Sequence, residues 1–270
     1  MPSVLSTSTT LESQLYNKYD QEMKKILFAI ALAVVATACN NNEAVPTGEG
    51  FIKISAATRG EVADTSSADG VKITHYLPQT ESLSVKIEGE GFLREWSSLK
   101  EFNAEENLRF KSAPYTITLA SHAETKRGYG AAYFEGKAEV QVPDYDQIVK
   151  ANIEVVLANS VVAITTTERF RGYFPSFKFS VKGIEYNFES GDLLFMEAGN
   201  AEVVCEAVRQ AHLESGKTTT IKKSVTLRPT TRHTLQFDLS TAGNLDIIEI
   251  TFDDEFVETI EIEEELNDRA

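Results

Sequence analysis

The domain organisation follows from the centre of the chain, where residues 152–164 read NIEVVLANSVVAI. This run is rich in the β-branched residues that favour strands, and it is longer than the roughly five or six residues that a strand usually holds. We interpret it as the last strand of one β-sandwich leading into the first strand of the next, with a domain boundary near Asn159. The alternative is one elongated sandwich.

Short β-type runs separated by turns fill the chain on both sides of this stretch. They predict an all-β fold of two tandem antiparallel β-sandwiches, of Greek-key, immunoglobulin-like or transthyretin-like type, over residues 51–158 and 159–265. Each half holds about 110 residues, which is enough for a core of its own. The predicted strands are Phe51–Ser55, Ser82–Glu88, Phe92–Trp96, Pro114–His122, Gly136–Val142, Ala151–Ala158, Val161–Thr167, Ser176–Val181, Ile184–Phe188, Leu193–Glu197, Ala201–Val208, Thr219–Leu227, His233–Leu239, Asp246–Phe252 and Phe256–Ile262.

The segments between the predicted strands have compositions that predict hairpins, a loop and a short helix. Residues Glu189–Asp192 supply a glycine for positive φ and predict a hairpin, and Asp253–Glu255 predicts a second hairpin near the C-terminus. Residues Ala57–Gly70 are rich in Ser, Thr, Asp and Gly, which indicates a mobile loop. Residues Ser98–Asn107 have some helical character, because two apolar residues lie three positions apart.

The N-terminal part of the chain predicts a bacterial lipoprotein signal. Residues 23–39 read MKKILFAIALAVVATAC, in which two lysines precede an apolar run of eleven residues. A membrane-spanning helix needs about 20 apolar residues, so the run is too short to span. Small residues stand directly before Cys39, as a signal peptidase requires. We therefore expect cleavage before Cys39 and lipidation of its thiol.

The signal also defines the segments around it. Residues 1–22 carry acidic side chains ahead of the lysines, which is unusual for a signal, so we predict that they are an upstream extension and that translation starts at Met23; the alternative is a long signal. Residues 23–38 form the signal peptide, and residues 39–50 form a polar linker that holds the body away from the membrane. Residues 266–270 form a tail.

Charge and cysteine content narrow the classes of function. The formal net charge is −15, and no cluster of Lys and Arg is present that would bind a phosphate backbone, which argues against a nucleic-acid partner. Of the two cysteines, Cys39 takes the lipid, so no disulfide forms within the chain. Cys205 alternates with Val203 and is predicted to lie in a buried strand, where a cysteine behaves as a small hydrophobic residue.

The motifs that accompany catalysis are missing from the sequence. It holds no Gly-x-Ser-x-Gly nucleophile motif. Residues Ser215–Thr218 resemble the end of a phosphate-binding loop, but the glycine that such a loop needs five positions before Gly216 is replaced by Ala211. The histidines are scattered and form no metal-spaced pair. We therefore predict a protein that is not an enzyme and has no catalytic residue, bound metal or cofactor. The histidines are His75, His122, His212 and His233.

Two kinds of residue remain as candidates for a site. Aromatic side chains near glycines or loops either stack on sugar rings or cap a sandwich core, and both interpretations stay open. Arg59 follows the first predicted strand, so it is either a proteolytic processing site or an ordinary surface residue. The candidate aromatic residues are Trp96, Tyr129, Tyr133, Tyr173 and Phe174.

Several motifs together resemble the domain of unknown function four-four-nine-three, which occurs in outer-membrane lipoproteins of gut-type Gram-negative bacteria. The resemblance covers roughly residues 50–265. The motifs that carry it are the signal ending at Cys39, PYTITLA at Pro114–Ala120, GAAYFEG at Gly130–Gly136, LANSVV at Leu157–Val162, and the run from Gly172 to Val181.

The architecture is also similar, by analogy, to that of the fimbrillins. That similarity implies two β-sandwiches that assemble into pili after proteolysis at an Arg beyond the first strand. In this chain it implies a cut at Arg59, so that release of Phe51–Ser55 opens a groove for a donor strand from another subunit.

Our leading hypothesis is a non-enzymatic lipoprotein, anchored in the outer membrane through Cys39, that serves in adhesion or as a pilus-associated component. Its partners are then the membrane and other envelope or pilus proteins. The alternative is a carbohydrate-binding surface lipoprotein that passes glycans to an uptake system. A third hypothesis is a glycosidase or peptidase with scattered acidic residues. We expect the protein to face the cell surface, with a periplasmic orientation as the alternative.

Overall fold

The computed structural model describes residues 48–122, 126–209, 218–242, 245–253 and 255–261. The predictions about the signal peptide, Met23, Cys39 and the tail lie outside these residues, as do those about His212 and most of the Ser215–Thr218 motif. No helix in the described ranges is long and apolar enough to cross a membrane.

Strands dominate the described residues, so the predicted all-β class is confirmed. Two short α-helices, α1 (Leu99–Ala104) and α2 (Glu168–Tyr173), and two 3-10 turns (Thr74–Tyr76 and Thr80–Ser82) accompany them. The strands are β1 (Glu49–Thr58), β2 (Glu61–Asp64), β3 (Ser67–Lys72), β4 (Ser84–Gly89), β5 (Phe92–Trp96), β6 (Phe110–Lys111), β7 (Pro114–Ala120), β8 (Gly128–Tyr129), β9 (Phe134–Gln141), β10 (Ile148–Leu157), β11 (Ser160–Thr166), β12 (Ser176–Val181), β13 (Ile184–Glu185), β14 (Leu194–Met196), β15 (Gly199–Val208), β16 (Thr218–Leu227), β17 (Thr231–Ala242), β18 (Leu245–Phe252) and β19 (Glu255–Glu261).

The strands form three sheets. The first has the order β5-β4-β7-β9-β10-β1-β6, the second β19-β18-β17-β11-β14-β8, and the third β13-β12-β15-β16. Most neighbours are antiparallel, as predicted, but β1 with β10, β11 with β17, and β2 with β17 are parallel. Alternation of apolar and polar residues shows which face of a strand is buried and does not distinguish the two directions of pairing.

The central stretch forms two strands, as its length predicted. Strand β10 ends at Leu157 and β11 begins at Ser160. In β11, Val161 belongs to one cluster of buried apolar residues and Val162 to another. The halves are nevertheless linked, because β2 pairs with β17 and β8 pairs with β14. Two tandem domains with a boundary near Asn159 therefore stay a prediction.

The prediction of a loop over Ala57–Gly70 is wrong. Strand β1 continues to Thr58, and β2 and β3 form a hairpin that pairs with β17 of the distant half. The polar residues that suggested a loop make specific contacts there: Asp64 Oδ2 lies 3.4 Å from Arg232 Nη1, and Thr65 Oγ1 donates to the Arg232 carbonyl at 3.0 Å. Composition alone does not separate a solvated loop from a polar hairpin that is paired elsewhere.

The predicted hairpin at Glu189–Asp192 is also wrong, because the strands on its two sides belong to different sheets. Strand β13 pairs with β12 in the third sheet, whereas β14 pairs with β11 and β8 in the second. The connection therefore crosses between sheets. The C-terminal hairpin is confirmed, since β18 and β19 are antiparallel neighbours.

Candidate functional site

Strand β1 is the first strand after the predicted linker, and it lies close to one edge of the first sheet. Its residues Phe51–Thr58 pair in parallel register with Ile148–Val155 of β10. On the other side, β6 pairs only with Glu49 and Gly50. Beyond Gly50, no strand of the described residues covers the outer edge of β1. Helix α1 and the Thr80–Ser82 turn also contact β1, but neither pairs with it as a strand, and the backbone groups of an unpaired strand edge are the type to which a further strand binds.

Two isoleucines hold β1 in the sheet. Ile52 and Ile54 belong to the first cluster of buried residues and are 7% and 4% exposed. Burying an Ile side chain contributes about 1.5–3 kcal/mol. The strand is therefore bound by apolar contacts as well as by its pairing with β10.

Arg59 directly follows β1, at the end of the strand that lies away from Gly48. Its backbone N–H donates to the Val155 carbonyl at 3.0 Å, and its side chain is 50% exposed. The guanidinium Nε lies 3.8 Å from Glu154 Oε1. Exposed pairs of this kind hold a side chain weakly, so the Arg59 side chain is accessible to a binding partner.

The segment after Arg59 is held by the other half of the molecule. The backbone N–H of Ala63 donates to the Thr230 carbonyl at 3.1 Å, and the Asp64 side chain, 5% exposed, contacts Arg232. A cut after Arg59 therefore divides β1 from a hairpin that stays attached to β17. The cut strand would be retained by noncovalent contacts within the first sheet.

A second feature is a groove of about 370 Å³ on the first sheet. Charged pairs line it: Lys86 Nζ lies 2.7 Å from Glu88 Oε2, and Lys137 Nζ lies 2.9 Å from Glu135 Oε1. Tyr133 donates its hydroxyl to Glu135 at 3.0 Å. The full lining is Ser84, Val85, Lys86, Glu88, Glu95, Trp96, Thr118, Ala120, Tyr133, Glu135 and Lys137.

These contacts set the protonation of the groove. Burial, together with the hydrogen bond to Glu135, raises the pKa of Tyr133 to about 12. Burial also acts to raise the pKa of Glu135, but the hydrogen bonds from Lys137 and Tyr133 outweigh it and lower that pKa below its usual value. At neutral pH the groove therefore presents a neutral tyrosine beside an ionised carboxylate.

Trp96 and Tyr133 are the candidate aromatic residues that the structure brings to this groove. The Trp96 side chain is buried, its ring meets Phe102 edge-on at 5.0 Å, and its Nε1 donates to Glu105 at 2.9 Å. The ring of Tyr133 carries Lys126 Nζ at 4.1 Å from its centre. Groups of the protein itself therefore already contact both rings.

The other three candidates lie around the second cluster of buried residues. Tyr129, in β8, accepts a hydrogen bond on its hydroxyl from the Asn187 backbone. Tyr173 and Phe174 are buried, and their rings are 4.9 Å apart. Tyr173 ends helix α2, next to Gly172, and Phe174 caps the helix at the start of the connection to β12.

A signal for helix α2 was present in the sequence. Thr167 is its N-cap and accepts a hydrogen bond from the Phe170 N–H at 3.2 Å, and Glu168 lies in the first turn. A threonine before an acidic first turn is typical of a helix start. Reading it would have assigned Tyr173 to the core, where Phe170 and Tyr173 form the buried face of the helix.

Cys205 and His233 are both fully buried. Cys205 lies fully buried in β15, as predicted, and burial raises the pKa of its thiol to about 12. His233 donates from Nδ1 to Asp253 at 2.7 Å, a pair that is typical of hydrolase triads. Its Nε2, however, accepts the Arg228 backbone N–H at 2.7 Å, so the second nitrogen is occupied. Over the described residues, no three His, Cys, Asp or Glu side chains are grouped to hold a metal ion.

The fold and the site define an all-β protein whose first strand has no strand neighbour on its outer side beyond Gly50 in the described residues. The chain belongs to the family described as "Domain of unknown function (DUF4493)", whose sequence model matches residues 48–268. This confirms the resemblance found in the sequence motifs. No protein with a curated description matches the chain.

Solved structures of similar fold include two proteins of fimbriae. A fimbrial assembly protein from Parabacteroides distasonis is 7% identical, with 80% of this chain and 98% of that chain covered and a TM-score of 0.39. The fimbrial anchor protein Mfa2 from Porphyromonas gingivalis is 9% identical, with 78% and 100% covered and a TM-score of 0.39. Both similarities are distant.

Proposed function

We propose that this chain is a non-enzymatic lipoprotein of the outer membrane that serves in adhesion or as a fimbria-associated component. The observation that carries the proposal is the position of β1, which has no outer strand neighbour beyond Gly50 in the described residues and is followed directly by the half-exposed Arg59. The short apolar run before Cys39 supports lipid anchoring, and the family relationship is consistent with this role.

The edge of the first sheet suits addition of a strand from another subunit. A bound strand gains main-chain hydrogen bonds from the sheet and specificity from pockets for alternate side chains. If β1 leaves, the edge of β10 opens and the sites of Ile52 and Ile54 become two such pockets. Since burial of these two residues stabilises β1, we expect exchange to need both a cut after Arg59 and an incoming strand.

The order of Cys39 and Arg59 along the chain distinguishes a subunit that is released for assembly from an anchor that stays at the membrane. Cys39 precedes β1 and Arg59 follows it, so a cut leaves the lipid on β1 and frees the body once β1 is replaced. A cleaved chain would be released for assembly, whereas an uncleaved chain would stay at the membrane as an anchor.

Arg-specific proteolysis tests this role. Outer membranes that carry the protein are treated with an Arg-specific protease, and we expect a new N-terminus at Gly60 by mass spectrometry. A peptide of residues 50–58 (GFIKISAAT) should then bind the cleaved body and release it from the membrane. Arg59→Ala should prevent both results, whereas Lys53→Ala, on the same strand, should prevent neither. Wild-type protein that is left intact at Arg59 would exclude processing.

Lipid attachment has a separate test. We expect metabolic labelling with a fatty-acid analogue to mark the wild-type chain and not Cys39→Ala, and protease treatment of intact cells to degrade a surface-facing protein. An equally labelled Cys39→Ala would contradict the anchor.

A second candidate function is the binding of carbohydrate in the groove. Because protein groups already contact the rings of Trp96 and Tyr133, the hydroxyl and charged groups of the lining would have to bind the sugar hydroxyls. A glycan array tests it, with Tyr133→Ala expected to lose binding and Tyr145→Ala, an exposed residue outside the groove, expected to keep it. Absence of glycan binding by the wild-type chain would remove this candidate.

A further inference from the structure

Large apolar side chains are exposed at one end of the first sheet. Leu93 is 66% exposed, Tyr145 61% and Ile148 58%. Phe188, 48% exposed, contacts the aromatic rings of β12 instead. Exposed residues of this size are ordinary when single, but three on one rim call for an explanation.

The strand registers place the three residues at the same end. The β4–β5 hairpin turns between Gly89 and Phe92, and Gly89 pairs with Tyr115. Next to Tyr115, Pro114 pairs with Gln141, where β9 ends. The chain then returns through the loop that carries Tyr145 and enters β10 at Ile148, opposite Phe51 of β1. We name Leu93, Tyr145 and Ile148 the anchor-side rim.

The described chain enters the body on this rim, at a fixed point. The Gly48 carbonyl accepts a hydrogen bond from the Ser112 N–H at 2.9 Å. A Cβ atom at Gly48 would lie 1.9 Å from the Asp144 carbonyl oxygen, so the entering chain is pressed against the loop of Tyr145. The point from which the linker departs is therefore set by the fold.

The linker between the predicted lipid site at Cys39 and Gly48 is short. Residues 40–47 separate Cys39 from Gly48, and even a fully extended chain of that length spans only about 30 Å. A lipid on Cys39 therefore limits the distance from the bilayer surface to Gly48 to about 30 Å. Arg59, at the other end of the ten-residue β1, lies about 30 Å further along the sheet.

The rim has the chemistry of an interfacial contact. Tyrosine places an apolar ring in the bilayer boundary and its hydroxyl at the headgroups, while leucine and isoleucine favour the acyl region. Its charges do not favour an anionic lipid surface, because Asp144 and Asp146 flank Tyr145 and Arg109 is paired with Asp146 at 3.1 Å. The apolar side chains must therefore supply the contact.

We propose that the anchor-side rim rests in the headgroup region of the membrane that holds Cys39, with the boundary between headgroups and acyl chains of that lipid surface as its partner. The inference rests on the proposed lipid anchor. It predicts an oriented body whose Arg59 end faces away from the bilayer, where a protease or another subunit reaches it.

Hydrogen exchange on vesicles tests the contact without relying on lipidation in the cell. The chain beginning at Cys39 is coupled through that thiol to a maleimide phospholipid in vesicles of phosphatidylcholine and phosphatidylethanolamine; the buried Cys205 stays unmodified. The reference is the same chain coupled to a maleimide without acyl chains. We expect amide exchange over residues 90–93 and 144–148 to slow at least threefold on the vesicles, and exchange around Phe188 to stay unchanged.

Variants make the test specific. Combined Leu93→Ser, Tyr145→Ser and Ile148→Ser should abolish the slowing, while Phe188→Ser should preserve it, with folding of each checked by its melting curve. Unchanged amide exchange on the rim, or equal slowing around Phe188, would overturn the proposal. The exposed rim residues would then be assigned to contact with a protein partner. Failure of fatty-acid labelling in cells would instead remove the anchor, so the two failures are distinguishable.

Discussion

At the scale of single residues, Asn159 fixes the junction between β10 and β11. It is 2% exposed, its Nδ2 donates to the carbonyls of Lys126 and Ala131, and its Oδ1 accepts the Tyr133 N–H. A buried polar group that loses its partner costs about 1–3 kcal/mol. The amide therefore turns an apolar run into two strands with a defined bend.

We predict that Asn159→Ala lowers the free energy of unfolding by about 1–3 kcal/mol, because three part-buried backbone groups lose their hydrogen-bond partner. Denaturant unfolding measures this. Asn200→Ala is the control, since Asn200 is exposed and accepts one hydrogen bond, from Thr226. Equal effects of the two variants would contradict the role given to Asn159.

Cys205 gives the molecule a dependence on alkaline pH. Its pKa rises by burial to about 12 in the folded state, whereas the unfolded thiol titrates near its ordinary value of about 9. The contribution of the buried neutral thiol is full below pH 9 and is lost as the pH rises from 9 toward 12. We expect the thiol of the native wild-type protein to resist alkylation at pH 9, and Cys205→Ala to lose less stability between pH 9 and 11. Rapid alkylation of the folded protein would contradict this.

At the scale of elements, the β2–β3 hairpin is one of two strand contacts, with β8, by which the first part of the chain binds the second sheet. Asp64 supplies the ion pair of this contact, with its carboxylate nearly buried beside Arg232, and Thr65 adds a hydrogen bond to the Arg232 carbonyl. We predict that Asp64→Ala speeds amide exchange over residues 61–72 ten- to a hundredfold, since about 1.4–3 kcal/mol of local stability is lost. Glu61→Ala, an exposed change on the same strand, should leave exchange unchanged; similar exchange in both variants would show that Asp64 does not hold the hairpin.

At the scale of the whole molecule, the proposed function requires that a body cut at Arg59 stay with its lipid anchor only as long as β1 is retained in the first sheet. Ile54 is buried and belongs to the first cluster of buried residues. We expect Ile54→Ala to cost about 2–4 kcal/mol and to speed release of the cleaved body from the membrane at least thirtyfold. Release is measured by sedimentation after proteolysis and addition of the peptide of residues 50–58, with Lys53→Ala as the control. Equal release rates would show that the buried face of β1 does not hold the strand.

The sequence by itself determined where most strands lie, which of their residues are buried and that the central run is two strands, because alternation and β-branched runs act over a few residues. Cys205 and the C-terminal hairpin follow from the same local signals. Only the tertiary structure decided the partners: β1 beside β10, the β2–β3 hairpin on β17, Trp96 with Tyr133 at one groove, and an exposed rim at Gly48. Parallel pairing between strands some 90 residues apart depends on long-range packing, which local periodicity does not encode.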